Sequence, residues 1–442
     1  MAERSWIWVA VFVVAFLLRI AAAVWWQDRL GEEQFGFPDS ESYWQLGQTI
    51  ADGKPYEFGE GGARMFRTPG YPALLSVIFE IGGNEVNVLW ARLLNAVFGT
   101  LTVGGVAWIT GQLFNRQTAL VAAMLAAVYP GAIGMSVFVL AEGPFCLLMT
   151  LQVGCWIRWR THQTSRPTTM AILIGITAGL AILVRPSWLL FLPAIIAINT
   201  VAIQPRPQSN QQQSNQQRGG RWGSHCVMLL ALIVMLLPWW IRNYMISGAL
   251  ITTTTQVGAS LYDGQGPQAT GASDMRFVNG FKYAQQMADK SLPNPPEPAA
   301  QFEVRLDQRM RQAAVDQMAQ SPSRVVLLAV EKFKRTWSLT PNDAMFQGGG
   351  PQLAIVLGYG PLIVLSLIGL FHFRNRRNVL LTCAFPAIYF TLIHMIFVGS
   401  LRYRQPPMLL LIIPAAAILV TAVQAFSLQL TVQDSKRRRR KK

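Results

Sequence analysis

Asp39 and Arg67 are the first residues of this chain whose types and settings could do chemistry. Asp39 sits in Phe37-Pro38-Asp39-Ser40-Glu41-Ser42-Tyr43-Trp44, just ahead of a helical pattern that puts Tyr43, Leu46 and Ile50 on one face and ends at Gly53. A carboxylate there accepts hydrogen bonds from first-turn amides, so one reading is an N-cap. The other is a general base, because a carboxylate fixed at a helix start is well oriented to take a proton from an incoming hydroxyl. The two roles are compatible. Arg67 opens Arg67-Thr68-Pro69-Gly70-Tyr71-Pro72, where two prolines and a glycine impose a rigid turn. It is either part of that punctuation or a guanidinium placed to hold a phosphate.

Several other chemistries lack their residues. Of the four histidines, His162, His225 and His372 fall at the inner ends of predicted spans and only His394 does not, which argues against a histidine metal site or a catalytic triad. Gly348-Gly349-Gly350 has no Lys-Ser/Thr after it, so a phosphate-cradling loop for a soluble nucleotide sugar is not supported. Cys146, Cys155, Cys226 and Cys383 all lie in apolar runs with no CxxC pair, and are read as buried small hydrophobes rather than disulfide or zinc ligands.

The elements that must position these groups are membrane spans. The chain has 442 residues, of which 52% are apolar and only 14% charged, against roughly a quarter charged in soluble domains. With a mean hydropathy of +0.30, this excludes a plain cytosolic globule, a disordered chain and a coiled coil. Net charge is +16, and the tail Lys436 to Lys442 supplies seven of those charges. A membrane protein with basic inner loops fits that distribution better than a nucleic-acid binder. Stretches of about 20 apolar residues occur at 6–26, 88–113, 118–134, 136–157, 168–184, 187–203, 225–241, 352–371, 378–398 and 405–426, which predicts ten spans. The first reads as a retained helix rather than a cleaved signal peptide, because it runs on to the interfacial pair Trp25-Trp26. Pro72 to Ile81 is too short to span and reads as an interfacial helix. With ten spans and an inner N-terminus, ten arginines fall in short inner loops: Arg116, Arg158, Arg160, Arg166, Arg206, Arg218, Arg221, Arg374, Arg376 and Arg377. Three, Arg185, Arg402 and Arg404, fall outside. This positive-inside bias supports the topology. Residues 27–87 and 242–350 then face outward, both termini are cytoplasmic, and the Gln/Asn/Ser/Pro-rich stretch 204–221 reads as an inner linker.

Six motifs in order give the chain a family likeness. Asp39-Ser40-x-x-Tyr43, then Arg67-Thr68-Pro69-Gly70-Tyr71-Pro72, resembles the GT-C integral-membrane glycosyltransferases, which include protein O-mannosyltransferases and lipid A aminoarabinose transferases. Leu140-Ala141-Glu142-Gly143-Pro144-Phe145 looks like their acidic motif at an outer span start, and Leu183-Val184-Arg185-Pro186 like their Arg-Pro helix end. Pro238-Trp239-Trp240-Ile241-Arg242-Asn243-Tyr244 looks like the start of their outer domain, and Leu401-Arg402-Tyr403-Arg404-Gln405-Pro406 like their late Arg-Tyr motif. The resemblance covers nearly the whole chain. It is specific for the superfamily and not for sugar or acceptor. It implies an all-α polytopic fold, a GT-C-like bundle of about ten transmembrane helices with interfacial helices and a small extracytoplasmic domain. The catalytic candidates are Asp39 and Glu142, and the substrate-binding candidates are Tyr43, Arg67, Arg185, Arg242, Arg402 and Tyr403. Glu142 is either paired with a neighbouring arginine, a partner that positions Asp39, or a ligand for a divalent cation such as Mg²⁺, Mn²⁺ or Ca²⁺. The arginines Arg185, Arg242, Arg402 and Arg404 either snorkel and cap helix ends or bind a phosphate ester, with Arg402 favoured by its motif.

The organisation expected is an N-terminal membrane module over residues 1–241, an extracytoplasmic loop domain over 242–350, C-terminal spans over 351–426 and a basic cytoplasmic tail over 427–442. Within the loop domain, Thr252 to Gly271 reads as loop and Pro293-Asn294-Pro295-Pro296 as a break. Ala299 to Gln320 reads as an amphipathic helix, and Ser321 to Trp337 as a helix lying on the membrane. The tail reads as an anionic-lipid anchor rather than a nucleic-acid arm. The expected activity is transfer of a sugar from a polyprenyl-phosphate donor to a hydroxyl on an unknown lipid, glycan or protein acceptor, with inversion, at the outer face of a cell (inner) membrane. A flippase or transporter of a lipid-linked sugar, or a glycan ligase or polymerase using a diphosphate carrier, are the alternatives.

Overall fold

The structure is a computed structural model that describes residues 5–31, 34–59, 62–161, 164–201, 211–290, 298–341 and 346–440. His162, Arg206 and the break at Pro293 to Pro296 lie outside these residues, as do the side chains of the basic tail and of residues 211–221. The described chain is helical throughout, with one isolated bridge between Phe58 and Ala63. It is an integral membrane protein. Among the described residues, seven helical stretches are long and apolar enough to cross a bilayer: Ser5–Leu30, Val88–Leu113, Pro167–Val184, Trp222–Ser247, Gly349–His372, Arg377–Ile396 and Leu401–Thr431. In chain order the helices before the loop domain are α1 (Ser5–Leu30), α2 (Pro38–Ala51), α3 (Gly70–Gly82), α4 (Val88–Leu113), α5 (Arg116–Val128), α6 (Pro130–Val137), α7 (Glu142–Arg160), α8 (Pro167–Val184), α9 (Phe191–Val201) and α10 (Gln211–Ser247).

The remaining three of the ten expected spans take other forms. The stretch expected at 118–134 is broken: Pro130 has no amide hydrogen to give, and α5 and α6 meet at a 53° bend. The helix expected from 136 begins only at Glu142, after the non-helical residues 138–141. The stretch expected at 187–203 is a single turn, Pro186–Trp188, followed by the 11-residue α9. Polar backbone exposed by such breaks needs partners in an apolar interior. Arg19, fully buried on α1, supplies them: its guanidinium donates to the carbonyls of Ala127 at 3.1 Å and Ala126 at 3.3 Å, the last turn of α5. Two smaller expectations are corrected. The backbone from Gln211 continues α10 as helix instead of forming a linker, and Cys226 faces outward while the other three cysteines are buried.

The short apolar helix α3 forms as expected and does not span, with Val77 and Ile81 exposed on its outer side. Beyond α10 come α11 (Gln256–Gln265), α12 (Met275–Lys290), α13 (Ala299–Gln320) and α14 (Pro322–Trp337), then α15 (Gly349–His372), α16 (Arg377–Val379), a π-helical stretch at Leu380–Ala384, α17 (Phe385–Ile396) and α18 (Leu401–Arg440). α11 replaces the loop read from the Thr/Gly-rich sequence. Its burial explains it: Tyr262, Ala259, Val278, Met310 and Ala314 make a small core that outweighs weak local propensity. This domain is tied to the first loop by Glu303, whose carboxylate accepts from the backbone amides of Arg64 at 2.8 Å and Met65 at 3.0 Å and from the Thr255 hydroxyl.

Close backbone packing sets where the Arg67 turn lies. Gly70 starts α3 directly against α8, and a Cβ there would stand 2.6 Å from the carbonyl carbon and oxygen of Leu183. That contact brings Arg67 and Arg185, each a few residues away, to the same end of the bundle. Gly70→Ala must push α3 off α8, so we expect a loss of about 1–3 kcal/mol, read as a lower thermal midpoint of the purified protein. An unchanged midpoint would remove this contact from the fold's determinants.

Candidate active site

Asp39 is the second residue of α2. Pro38 takes the first position and Phe37 the cap, without a side-chain cap bond. The N-cap reading of Asp39 is therefore corrected: its carboxylate turns away from the helix start to two arginines. Oδ1 lies 2.6 Å from Arg67 Nη2 and Oδ2 lies 3.0 Å from Arg402 Nη2. Arg67 is held in turn by Ser42, whose Oγ accepts from Nε at 3.1 Å, and by Gln256 at the start of α11, whose Oε1 accepts from Nη1 at 3.0 Å. Its guanidinium also lies over the Tyr43 ring, 5.0 Å from the centroid. Tyr43 in turn packs edge-on against Tyr71, whose hydroxyl accepts from Asn95.

Glu142 is the first residue of α7 and is almost fully buried, at 1% exposure. Its Oε1 lies 2.8 Å from both Arg185 Nη1 and Arg402 Nε. Arg402 thus joins the two carboxylates with one guanidinium. Arg185 is aimed by the turn after α8. Trp188 anchors that turn, buried among Phe145, Phe191 and Phe390, with its Nε1 donating to Gln152 at 2.6 Å. The ring of Tyr403 lies beneath both Arg185 and Arg402, at 5.4 and 5.3 Å, and its other neighbour is the imidazole of His394, stacked at 3.8 Å and 7°.

Five charged groups therefore form one chain, Arg67–Asp39–Arg402–Glu142–Arg185, with one positive charge in excess. It is open on one side, where the side chains of Asp39 and Arg402 are 31% and 22% exposed. Burial alone would push the Asp39 carboxyl up, but the Arg67 and Arg402 guanidiniums hold it well below the usual carboxylate range. Burial pushes the Tyr43 hydroxyl up, so it stays protonated as a donor.

Of the residues singled out by sequence, Asp39, Glu142, Tyr43, Arg67, Arg185, Arg402 and Tyr403 come together. Arg242 does not join them. Its guanidinium donates to the backbone carbonyls of Arg64 at 2.8 Å and Tyr56 at 3.2 Å, which fixes the loop leading to Arg67. Arg404 also turns away, over the Tyr359 ring and onto the carbonyl of Ser338. Sequence reasoning missed Ser42, Gln256 and His394. Gln256 was hidden in the supposed loop. His394 left one clue, as the histidine that did not map to an inner boundary. A divalent cation does not suit this donor set: both carboxylates are engaged by guanidiniums, and among the described residues no three His, Cys, Asp or Glu side chains are grouped to hold one.

The fold is like that of solved archaeal oligosaccharyltransferases. Residues 59–249 match the family model of dolichyl-phosphate-mannose-protein mannosyltransferases. The apo crystal structure of the oligosaccharyltransferase of Archaeoglobus fulgidus superposes with a TM-score of 0.57 at 15% identity, over 97% of this chain and 52% of that one. The archaeal oligosaccharyltransferase AglB from the same organism, in complex with an inhibitory peptide and a dolichol-phosphate, superposes with a TM-score of 0.55 at 15% identity, over 98% and 52%. This chain spans about half the length of those structures. ArnT from Cupriavidus metallidurans bound to undecaprenyl phosphate matches at 13% identity over 93% and 77%, with a TM-score of 0.45 that is too low to bear on the fold. No curated protein sequence matches this chain.

The Asp39 pairing sets a pH dependence. A carboxylate held below its unfolded value stabilises the fold above about pH 4 and loses that contribution as pH falls toward its folded value. The thermal midpoint of Asp39→Asn is therefore expected below that of the wild type by a constant gap from pH 8 to 5. The gap should close in more acid solution. A gap that does not change with pH would mean that Asp39 is not ionised against its arginines.

Proposed function

We propose that this chain is a membrane glycosyltransferase that moves a sugar from a polyprenyl-phosphate carrier to a hydroxyl acceptor. The observation that carries this reading is the five-membered charge chain, which offers an excess guanidinium charge beside an ionised, partly open carboxylate. The matched family model and the dolichol-phosphate named for the AglB structure support a lipid monophosphate donor. Arg402 and Arg67 bind the phosphate oxygens, as a guanidinium fork matches them. Tyr43 and Tyr403 set the height of those arginines. Arg185 holds Glu142, and Glu142 holds Arg402.

The donor phosphate and Asp39 compete for the same two arginines. When the phosphate takes them, Asp39 loses the charges that keep it a weak base, and its affinity for a proton rises. It then accepts the acceptor's hydroxyl proton while that oxygen forms its bond to the anomeric carbon. The bond from that carbon to the phosphate oxygen breaks, and the polyprenyl phosphate leaves as an anion that needs no general acid. One direct displacement inverts the configuration. The site lies extracytoplasmically, in a cell (inner) membrane with both termini cytoplasmic, a reading supported by the distribution of arginines along the sequence.

Asp39→Asn should lower transfer about 10²–10⁴-fold, the range for loss of a positioned base, in protein that is still folded. Near-normal transfer would remove Asp39 from the chemistry. Arg402→Lys replaces a planar fork by a single ammonium. We expect the donor KM to rise about tenfold or more, in line with ~1.5–3 kcal/mol for a charge-assisted hydrogen bond, with kcat less affected. A donor panel separates the alternatives. Turnover with a monophosphate carrier in detergent supports this reading, turnover only with a diphosphate carrier supports a glycan ligase, and no product with either leaves a lipid-linked sugar transporter.

A further inference from the structure

The turn that carries Arg402 is weakly tied to its own helix. Pro406 and Pro407 follow it in α18 and have no amide hydrogens, so the carbonyls of Arg402 and Tyr403 lack their usual α-helical partners. That turn takes its position instead from the loop 397–400, which joins it to α17. Within the turn, Arg402 N donates to Ser400 Oγ at 3.3 Å and Gln405 Nε2 to the Leu401 carbonyl at 3.0 Å.

The loop domain pins this loop at both ends. At Ile396, the last residue of α17, one carbonyl oxygen accepts two hydrogen bonds, from Lys332 Nζ on α14 at 2.8 Å and from Gln265 Nε2 at the end of α11 at 2.7 Å. Three residues on, Gly399 N donates to the carbonyl of Gly271 at 3.0 Å. Gly399 also lies so close to the backbone of Lys332 that a Cβ would have no room. Lys332 thus touches the loop twice, with its side chain at Ile396 and with its backbone at Gly399.

A lysine is costly in this place. Lys332 is fully buried, and burial pushes its ammonium down to about 8, against the pull of Asp263 on α11. Asp263 is itself engaged, accepting from Ser273 Oγ at 2.6 Å and from the Asp274 amide at 2.9 Å. The Lys332 ammonium is still charged at neutral pH, and no step of the transfer uses it. A leucine or methionine would serve packing alone. What the lysine adds is a charged donor that reaches the Ile396 carbonyl, and charged donors make the stronger hydrogen bonds.

We propose that Lys332 is a positioning residue for Arg402. From the loop domain it fixes the loop 397–400, and through that loop the place where the Arg402 guanidinium meets Asp39, Glu142 and the carrier phosphate. Gln265 shares the task. The contact with phosphate rests on the function proposed above, whereas the placing of Arg402 against its two carboxylates does not.

The test compares the full wild-type chain in maltoside detergent with Lys332→Met, which keeps the length of the side chain and removes the donor. Density maps should show Arg402 paired with Asp39 and Glu142 in the wild type and at least one of those pairs open in the variant. Undecaprenyl phosphate, titrated by native mass spectrometry, should bind the variant about tenfold more weakly, near the lower end for one charge-assisted hydrogen bond. Trp337→Phe removes a bond from α14 to Thr391 on α17 without touching Ile396. It should lower the thermal midpoint yet leave both pairs and the affinity unchanged, so a loss of stability alone does not reproduce the effect. If Lys332→Met fails to fold, Gln265→Leu removes the second donor and should change both readouts in the same direction. Arg402 pairs that stay closed in the variant, or an equal loss of affinity in Trp337→Phe, would overturn the proposal. A wild type that binds no undecaprenyl phosphate would overturn the proposed carrier instead, and the density maps would still decide the role of Lys332.

Discussion

The whole site depends on Arg402 holding two carboxylates at once. Asp39 arrives on a short helix after α1 and Glu142 on the first turn of α7, more than a hundred residues later. What joins them is one guanidinium, 3.0 Å from Asp39 and 2.8 Å from Glu142. Bringing these charges out of water is costly unless each is paired. The fold meets that cost with Arg67 at one end and Arg185 at the other. Removing Asp39 or Glu142 leaves Arg67 or Arg185 without its charge partner, and removing Arg402 leaves each carboxylate with one guanidinium instead of two.

That arrangement explains why so much of the surrounding structure is devoted to aim. Gly70 lets α3 lie against α8, which sets Arg67. Trp188 and its aromatic neighbours set Arg185. The stack of His394 on Tyr403 gives Arg402 and Arg185 a common floor. The loop domain contributes through Gln256 on Arg67 and through Glu303, which fixes the residues just before it. The first loop, the loop domain and the membrane helices therefore build one site rather than two adjacent ones.

Much of this was legible in the sequence, for physical reasons. Apolar length locates most spans, because it is set by the thickness of the bilayer itself. Asp39, Arg67, Glu142, Arg185 and Arg402 stood out as ionisable residues at the ends of apolar runs or in Pro/Gly turns, where such residues are costly unless used. Tertiary contacts decided what the sequence left open. Asp39 was read as a possible cap from its place before a helical pattern, yet Pro38 had already taken the helix start. Arg242 shared its setting with the others but faces backbone carbonyls, a choice made by side-chain direction alone. α11 was read as loop because local propensity is weak there, and packing against α13 overrides it. The bend at Pro130 shifted Glu142 to a helix start, which apolarity could not show.

The most direct test of the account is a density map of the protein with a polyprenyl phosphate bound. The phosphate should lie within hydrogen-bonding distance of Arg402 and Arg67, with Asp39 detached from at least one of them and open to solvent. A phosphate bound elsewhere, with both Asp39 pairs intact, would contradict the exchange of partners on which the proposed chemistry rests.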